Sequence, residues 1–192
     1  MKALLSTIVA AGTLFAYAPS TGSAHLMAPH TMILAPESRL WFDGTPTVKA
    51  FSCSATKFDA AVEVKTGAKP EALVESAAIK VPVSALDCKN GTMNDHMRKA
   101  LKASTNPEIT WRMTSYRVQG TAVVMQGRLS IAGKENDLEL NGTGTAANGV
   151  IRIKGSKQFK MTEFGVKPPK LMMGAMKVKD PVTVGFDIVL NP

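Results

Sequence analysis

Apolar residues at every second position are the feature that most constrains the fold of this chain. Near the carboxyl terminus, five apolar side chains follow this period: Val182, Val184, Phe186, Ile188 and Leu190. Successive side chains of a β-strand point to opposite faces of its sheet. The period of two therefore predicts a strand that buries one face and turns the other toward water.

The same period recurs along most of the chain. It is found in residues 58–65, 109–114, 123–131, 138–140 and 151–154. Turn-forming sequences lie between these runs, among them FDGTP, RVQGT, AGKEND and NGTGTAANG,. Short apolar-polar strands joined by turns predict an all-β antiparallel domain. No repeated block or linker-like stretch divides it, so one domain is expected.

One segment breaks the period of two. In NGTMNDHMRKALKAS, the apolar residues Met93, Met97, Ala100 and Leu101 fall on one face of a helix, and Pro107 follows its end,. One helix inserted among about eight to ten strands predicts a closed or nearly closed β-barrel. A β-sandwich is the alternative that periodicity leaves open.

The amino terminus predicts export. A basic start, an apolar run over residues 3–18 and the small residues Gly22 and Ala24 are typical of a secretory signal peptide, with cleavage after residue 24,. The run is shorter than the roughly 20 residues that span a bilayer, so stable membrane insertion is not expected. We therefore expect a periplasmic or secreted protein with a signal peptide at 1–24, a flexible leader at 25–35 and the barrel domain at 36–192.

The two cysteines fit an exported protein. In an oxidising compartment Cys53 and Cys88 are expected to form a disulfide rather than a reactive thiol pair,. Closing the loop from Cys53 to Cys88 stabilises the folded protein by about 3–4 kcal/mol in a chain-entropy model,.

The net charge of +8 raises the question of nucleic-acid binding. The lysines and arginines are scattered along the chain, and the densest group, residues 154–160, has a single aromatic residue near it. This distribution predicts a solvated basic face and no nucleic-acid partner.

Five segments carry a resemblance to a known family: SRLWFDGTPTVKAF, IKVPVSALDCKNGTMNDHMRKAL, NPEITWRMTS, GRLSIAGKENDLEL and MTEFGVKPP. The most specific pieces are the helical Asn94-x-His96-Met97 and the later Phe164-Gly165. In order and spacing these segments resemble the YceI-like family.

The resemblance extends from about Ser38 to Leu190. It implies a lipocalin-like antiparallel β-barrel, exported by bacteria, that holds an isoprenoid or another long-chain amphiphile in its bore. Inward-facing and nearby apolar residues are then the expected ligand contacts, together with the helical histidine: Trp111, Met113, Leu129, Phe164, Met172, Met173, Met176, Phe186 and His96.

The segment LMMGAM, residues 171–176, contains three methionines within six residues. Apolar residues occupy both the odd and the even positions of this segment, so both of its faces would be apolar in a strand. The segment is therefore expected to be covered on both sides or to line a hydrophobic site. Flexible thioethers suit a long apolar ligand of variable shape, and core packing is the alternative.

No catalytic motif is present. The chain has no nucleophile elbow, no glycine-rich phosphate loop and no H-E-x-x-H,. We therefore expect no enzyme and no cofactor other than a bound isoprenoid or fatty-acid-like lipid. The alternative is a structural or interaction module whose barrel is packed solid by its own side chains.

A second alternative is copper binding at the new amino terminus. His25, Met27, His30 and Met32 bring nitrogen and sulfur donors together within a short segment. Copper favours such donors.

We expect the exported protein to begin at His25 and to carry Cys53–Cys88 as an intramolecular disulfide. Intact mass of the periplasmic fraction, before and after alkylation without reductant, measures both features. Two alkylatable thiols in unreduced protein would contradict the disulfide.

Overall fold

The computed structural model describes residues 29–46, 50–65, 73–171 and 176–192. Within these ranges it contains twelve β-strands and one α-helix. The strands are β1 (His30–Leu34), β2 (Arg39–Pro46), β3 (Phe51–Ala55), β4 (Asp59–Val64), β5 (Val74–Pro82), β6 (Leu86–Asp87), β7 (Glu108–Gln119), β8 (Ala122–Ile131), β9 (Lys134–Ala147), β10 (Val150–Lys160), β11 (Lys170–Leu171) and β12 (Met176–Asn191). The helix, α1, is Gly91–Ala100.

Eight of these strands close into an antiparallel ring. Their order is β1-β4-β5-β7-β8-β9-β10-β12, and β12 pairs back to β1 through Leu34–Leu190 and Ile33–Asn191. The predicted lipocalin-like barrel with one inserted helix is therefore confirmed. A closed ring also excludes the β-sandwich, because a sandwich consists of two separate sheets.

The remaining paired strands extend the ring. Along one edge of β12, β2 pairs with residues 178–187 and β1 with residues 190–191, so the two strands together form one interrupted wall. β3 continues β4 in the same way beside β2, and β6 continues β5 beside β3. β11 pairs with the start of β12.

The break between β1 and β2 is hydrogen-bonded in place. Val189 donates its N–H to the Ser38 hydroxyl at 3.0 Å. Its carbonyl accepts from that hydroxyl at 3.1 Å and from the N–H of Ala35 at 2.9 Å. A serine side chain thus replaces a missing ladder partner, as unpaired backbone groups require when they leave water.

The sheet begins earlier than the sequence indicated. β1 pairs with β4 from His30–Val64 onward, and Met32 is 4% exposed in the core. Residues 30–35 are therefore part of the barrel and not a flexible leader, because strands on both sides and a buried side chain fix them. The signal peptide and residues 25–28 lie outside the described residues.

The inward face of the barrel is the predicted one. The alternate residues of β12 share one apolar interior with those of β7 and β8: Val182, Val184, Phe186, Ile188, Leu190, Ile109, Trp111, Met113, Leu129 and Ile131. This prediction is confirmed.

A β-bulge in β7 preserves that interior over the rest of the strand. The β7–β8 register shifts between Met113 and Ser115, so that Tyr116 lies opposite Met125 and Val118 opposite Val123. Without the extra residue, continued alternation would turn Ser115 and Arg117 inward. The bulge thus keeps a guanidinium group out of an apolar bore.

Helix α1 closes one end of the barrel. The Asn90 side chain caps it by accepting from the N–H of Met93 at 3.0 Å,. Met93, Met97, Ala100 and Leu101 face the interior, as the sequence predicted. Among the described residues, no helix has the length and apolar character needed to cross a membrane.

The start of α1 is attached to β6 by a small polar network. Asn94 accepts from the N–H of Cys88 at 2.8 Å and donates to the carboxylate of Asp87 at 3.0 Å. Lys89 adds a backbone hydrogen bond at 2.9 Å and an ion pair at 2.9 Å to the same carboxylate. The Asn94 hydrogen bond first, and then those from Lys89, lower the pKa of Asp87 well below its ordinary 3.8.

Replacing Phe186 by Asp should destabilise the barrel by about 4 kcal/mol or more, because the carboxylate would be buried without a partner. The matched control is Gln158→Asp, at an exposed site on the neighbouring strand, for which a change of about 0.5 kcal/mol is expected,. Urea unfolding measures both. Equal losses in the two variants would contradict the assignment of the inward face.

The Asp87 carboxylate should contribute stability that disappears in acid. Because its folded-state pKa is lowered, the contribution is complete above the ordinary value and is lost as pH falls below 3.8,. The difference in unfolding free energy between the wild type and Asp87→Asn should therefore shrink between about pH 5 and pH 2. A difference that stays constant over this range would contradict the role given to Asp87.

Candidate functional site

The bore of the barrel is an open apolar cavity. Its volume is about 930 Å³, and its lining comes from strands of the ring, from β2, β3 and β6, and from α1. Among the described residues, no Asp, Glu, Lys or Arg lines it. Small-molecule sites usually measure about 300–1,000 Å³ and are lined mainly by apolar side chains. The alternative of a barrel packed solid by its own side chains is therefore not supported.

Small inward residues keep the bore open. Ala60 and Ala77 line the wall formed by β4 and β5, and Gly144 lies on β9. In small barrels such inward positions are otherwise filled by large side chains. The cavity thus follows from which side chains these strands turn inward.

Two large aromatic side chains lie against neighbouring strands where a glycine faces them. The Phe186 ring lies over Gly155, its cross-strand partner. The Trp111 ring lies over Gly127, where a Cβ atom would be 2.6 Å from the indole Nε1. Aromatic residues commonly cover strand glycines in this way. These rings line the wall instead of crossing the bore.

The indole N–H of Trp111 is buried and has no hydrogen-bond partner among the described residues. The indole nitrogen lies against Gly127, so the ring exposes carbon and not nitrogen to the cavity. Trp111 is therefore an apolar wall residue. The ring of the other tryptophan, Trp41, lies over Gly185, its cross-strand partner.

Polar lining groups are concentrated toward the two ends. At the helix end, defined as the end covered by α1, they are Ser52, Asn90 and His96. At the hairpin end, where the β7–β8 and β9–β10 turns lie, they are Thr121, Thr145 and the hydroxyl of Tyr116, which bonds to the start of β5. The middle of the bore is apolar, so the site suits a long apolar molecule with a polar group at an end.

Six of the nine predicted contact residues line this cavity. Four of them are buried in its wall, namely Trp111, Leu129, Phe164 and Phe186. The other two, Met113 and His96, are half-buried. Their role as ligand contacts stays a prediction. Met172 and Met173 lie outside the described residues. Met176 begins β12 opposite Leu171, and its side chain is outside the described part of the chain.

Several lining residues were missed at the sequence level. Tyr116 is turned inward only by the bulge, and its hydroxyl accepts from the N–H of Val74 at 2.9 Å. Phe51 lines the bore from β3 and meets Phe42 edge to face at 6.2 Å between ring centroids. Met93 and Met97 had a signal, the helical apolar face, but were not named as ligand contacts.

The Phe164-Gly165 motif closes the wall beside β10. Phe164 is 1% exposed and packs edge to face on Phe159 at 5.2 Å between ring centroids. Gly165 follows with φ of 68°, a left-handed conformation that glycine adopts without steric cost and that ends the short 3-10 turn,. Thr162 in that turn donates to Asp180 from its N–H at 3.0 Å and from its hydroxyl at 2.6 Å, and these contacts lower the pKa of Asp180.

The predicted disulfide is confirmed. Cys53 of β3 is bonded to Cys88, which directly follows β6, and both are buried. Cys88 also lines the cavity. The bond therefore belongs to the wall of the site, next to the start of α1.

The described residues do not support the amino-terminal copper site. Met32 is buried in the core, where its thioether packs with apolar neighbours, while His30 is exposed. A copper ligand at Met32 would have to leave that core. Among the described residues, no group of three or more His, Cys, Asp or Glu is placed to hold a metal ion. His25 and Met27 lie outside them.

Comparison with solved structures identifies the same fold. Burkholderia cenocepacia BcnA is similar with a TM-score of 0.68 at 20% identity, over 79% of this chain and 95% of that one. A YCEI protein from Campylobacter jejuni gives a TM-score of 0.65 at 17% identity, over 76% and 87%. A polyisoprenoid binding domain from Saccharophagus degradans gives 0.60 at 14%, over 84% and 97%.

No curated protein sequence matches the chain. The model of the YceI-like domain, however, matches residues 33–190, which is nearly all of the barrel described above. The protein therefore belongs to the YceI-like family.

Proposed function

We propose that this protein is an exported carrier that holds one isoprenoid or other long-chain amphiphile in the bore of its barrel. The observation that carries the proposal is the apolar cavity of about 930 Å³, whose described lining contains no Asp, Glu, Lys or Arg. Burying each methylene of such a chain is worth about 0.8 kcal/mol. Ten buried methylenes thus give roughly 8 kcal/mol before the cost of immobilising the ligand.

The cavity volume suits a long chain. At about 30 Å³ for each methylene-sized group, similar to a water molecule in the liquid, the bore has room for roughly 30 carbon atoms. The apolar middle favours the chain, and the polar side chains at the ends favour a polar group there. This distribution supports an amphiphile that lies along the barrel axis.

Family and fold agree with this ligand class. The chain belongs to the YceI-like family, and the similar Saccharophagus degradans domain is named for polyisoprenoid binding. The signal-like amino terminus and the Cys53–Cys88 disulfide support a periplasmic or secreted location,.

We propose binding without catalysis. The described lining of the bore contains no Asp, Glu, Lys or Arg beside its polar groups, of which His96 on α1 is one. General acid–base catalysis requires a proton donor or acceptor that is held and tuned by its neighbours. Met172, Met173 and Met176 remain proposed ligand contacts.

Filling the bore should reduce ligand capture without unfolding the protein. Ala77 lines the cavity, whereas its neighbour Ala78 has the outward parity and does not line it. Ala77→Phe should therefore lower occupancy by a co-purified or added polyprenol about tenfold, because the ring takes the place of several ligand carbons. Ala78→Phe is the matched control.

Native mass spectrometry of gently purified protein measures occupancy, and thermal unfolding measures stability. A wild-type protein that shows no added lipid mass after incubation with polyprenols or fatty alcohols would contradict the proposed function. Equal occupancy in the two variants would contradict the placement of the ligand in the bore.

A further inference from the structure

Helix α1 forms the cover of one end of the cavity. Its inward residues Met93, His96, Met97 and Ala100 all line the bore. A ligand that leaves through this end must displace these side chains. The attachment of α1 to the barrel therefore determines how easily that end opens.

Two neighbouring residues, Asp87 and Cys88, make the side-chain contacts that attach α1 to β6. Asn94 makes both of its hydrogen bonds to the Asp87–Cys88 segment. The Met97 sulfur lies 3.9 Å from the Cys88 sulfur. Within the described residues, the other hydrogen bonds and ion pairs of α1 stay inside the helix, its cap or the turn that follows it.

The segment that holds α1 is itself weakly paired. β6 contains only two residues, which pair with β3 as Asp87–Ser54 and Leu86–Ala55. Besides the main chain that continues from β5, the disulfide from Cys88 to Cys53 joins this segment covalently to β3. Cys53 is 0% exposed and lies within β3, so it anchors the bond in the wall.

We propose that the Cys53–Cys88 disulfide is a latch that holds α1 closed over the cavity, so that ligand leaves faster when the bond is reduced. This inference rests on the proposed ligand-binding function. With the bond intact, Cys88 cannot move away from β3. With two thiols in its place, the cover is held by the short β6 ladder, the Asn94 contacts and the apolar packing of α1 on the core, without a covalent cross-link to β3.

Reduction by a dithiol supplies the two electrons. A thiolate of the dithiol attacks one sulfur of the bond, forming a mixed disulfide and releasing the other cysteine as a thiolate, which takes up a proton. The second thiol of the reagent then displaces the remaining cysteine, leaving two protein thiols and a cyclic disulfide. Cys88 is the more accessible sulfur-bearing residue, at 8% exposed against 0% for Cys53.

The test compares release of all-trans-retinol, a fluorescent isoprenoid alcohol, from oxidised protein, dithiothreitol-reduced protein and Cys53→Ala/Cys88→Ala. Release should be about tenfold faster in the last two, because the loop constraint has been removed. Asn94→Ala, with the disulfide intact, should also accelerate release. Stopped-flow transfer to lipid vesicles measures the rate, and alkylation followed by mass analysis verifies the redox state.

General destabilisation needs its own control. Ser38→Ala removes hydrogen bonds at the β1–β2 break and leaves the latch intact. The release rates of Ser38→Ala and of the reduced wild type are compared, each at a temperature equally far below its own melting temperature. Equal release from oxidised and reduced protein would overturn the latch, as would equal acceleration in Ser38→Ala.

Hydrogen exchange separates this inference from the proposed function. Amides of α1 should exchange faster after reduction, while those of β8 and β9 should not, and this readout needs no ligand. If oxidised protein takes up no retinol but α1 responds in this way, the latch stands and the proposed ligand class fails. Unchanged exchange in α1 overturns the latch whether or not retinol binds.

Discussion

Strand β12 holds the barrel together because β10, β2 and β1, besides the two-residue β11, all pair along its two edges. One edge carries β10 over ten register pairs, and the other carries first β2 and then β1. This sharing is possible because the chain bends between Ala35 and Ser38, where Val189 exchanges hydrogen bonds with a serine hydroxyl. The closed ring leaves no long free edge on β12, and unpaired edges are sites of aggregation.

The apolar bore follows from that register. Once β12 turns Phe186 inward, its partners on β10 and β2 must turn Gly155 and Leu40 the same way. The bulge in β7 then corrects the one strand whose alternation would have brought Arg117 inside. An unpaired buried guanidinium would be strongly destabilising, so this local irregularity protects the hydrophobic character of the whole site.

Sequence patterns predicted the parts of the fold that depend on local alternation. The inward residues of β12, the apolar face of α1 and the barrel class all follow from periodicity or from the family resemblance. The bulge before Tyr116 and the interrupted walls did not, because a register shift is defined only relative to a partner strand. β1 was missed because HTMIL has little alternation, and its place depends on pairing with β4 and β12.

In the candidate site too, the sequence predicted residues on regular strands but not the contacts between strands. Trp111, Leu129 and Phe186 were predicted as wall residues, since each belongs to a regular strand. The flat packing of Trp111 on Gly127 was not predictable, because it depends on two residues that lie diagonally across neighbouring strands. That packing decides the chemistry of the wall, because it hides the indole nitrogen.

The hydrogen bonds between Ser38 and Val189 join positions 151 residues apart. Proteins that depend on such distant pairings fold slowly, because most of the chain must be ordered before these contacts form. Here the ring cannot close until the final strand has been synthesised. A nascent chain that lacks β12 would leave both β10 and β2 without their partner strand, so β12 must be synthesised before their apolar faces can be buried. Because β12 follows every other described strand in the sequence, barrel closure is a late step of folding.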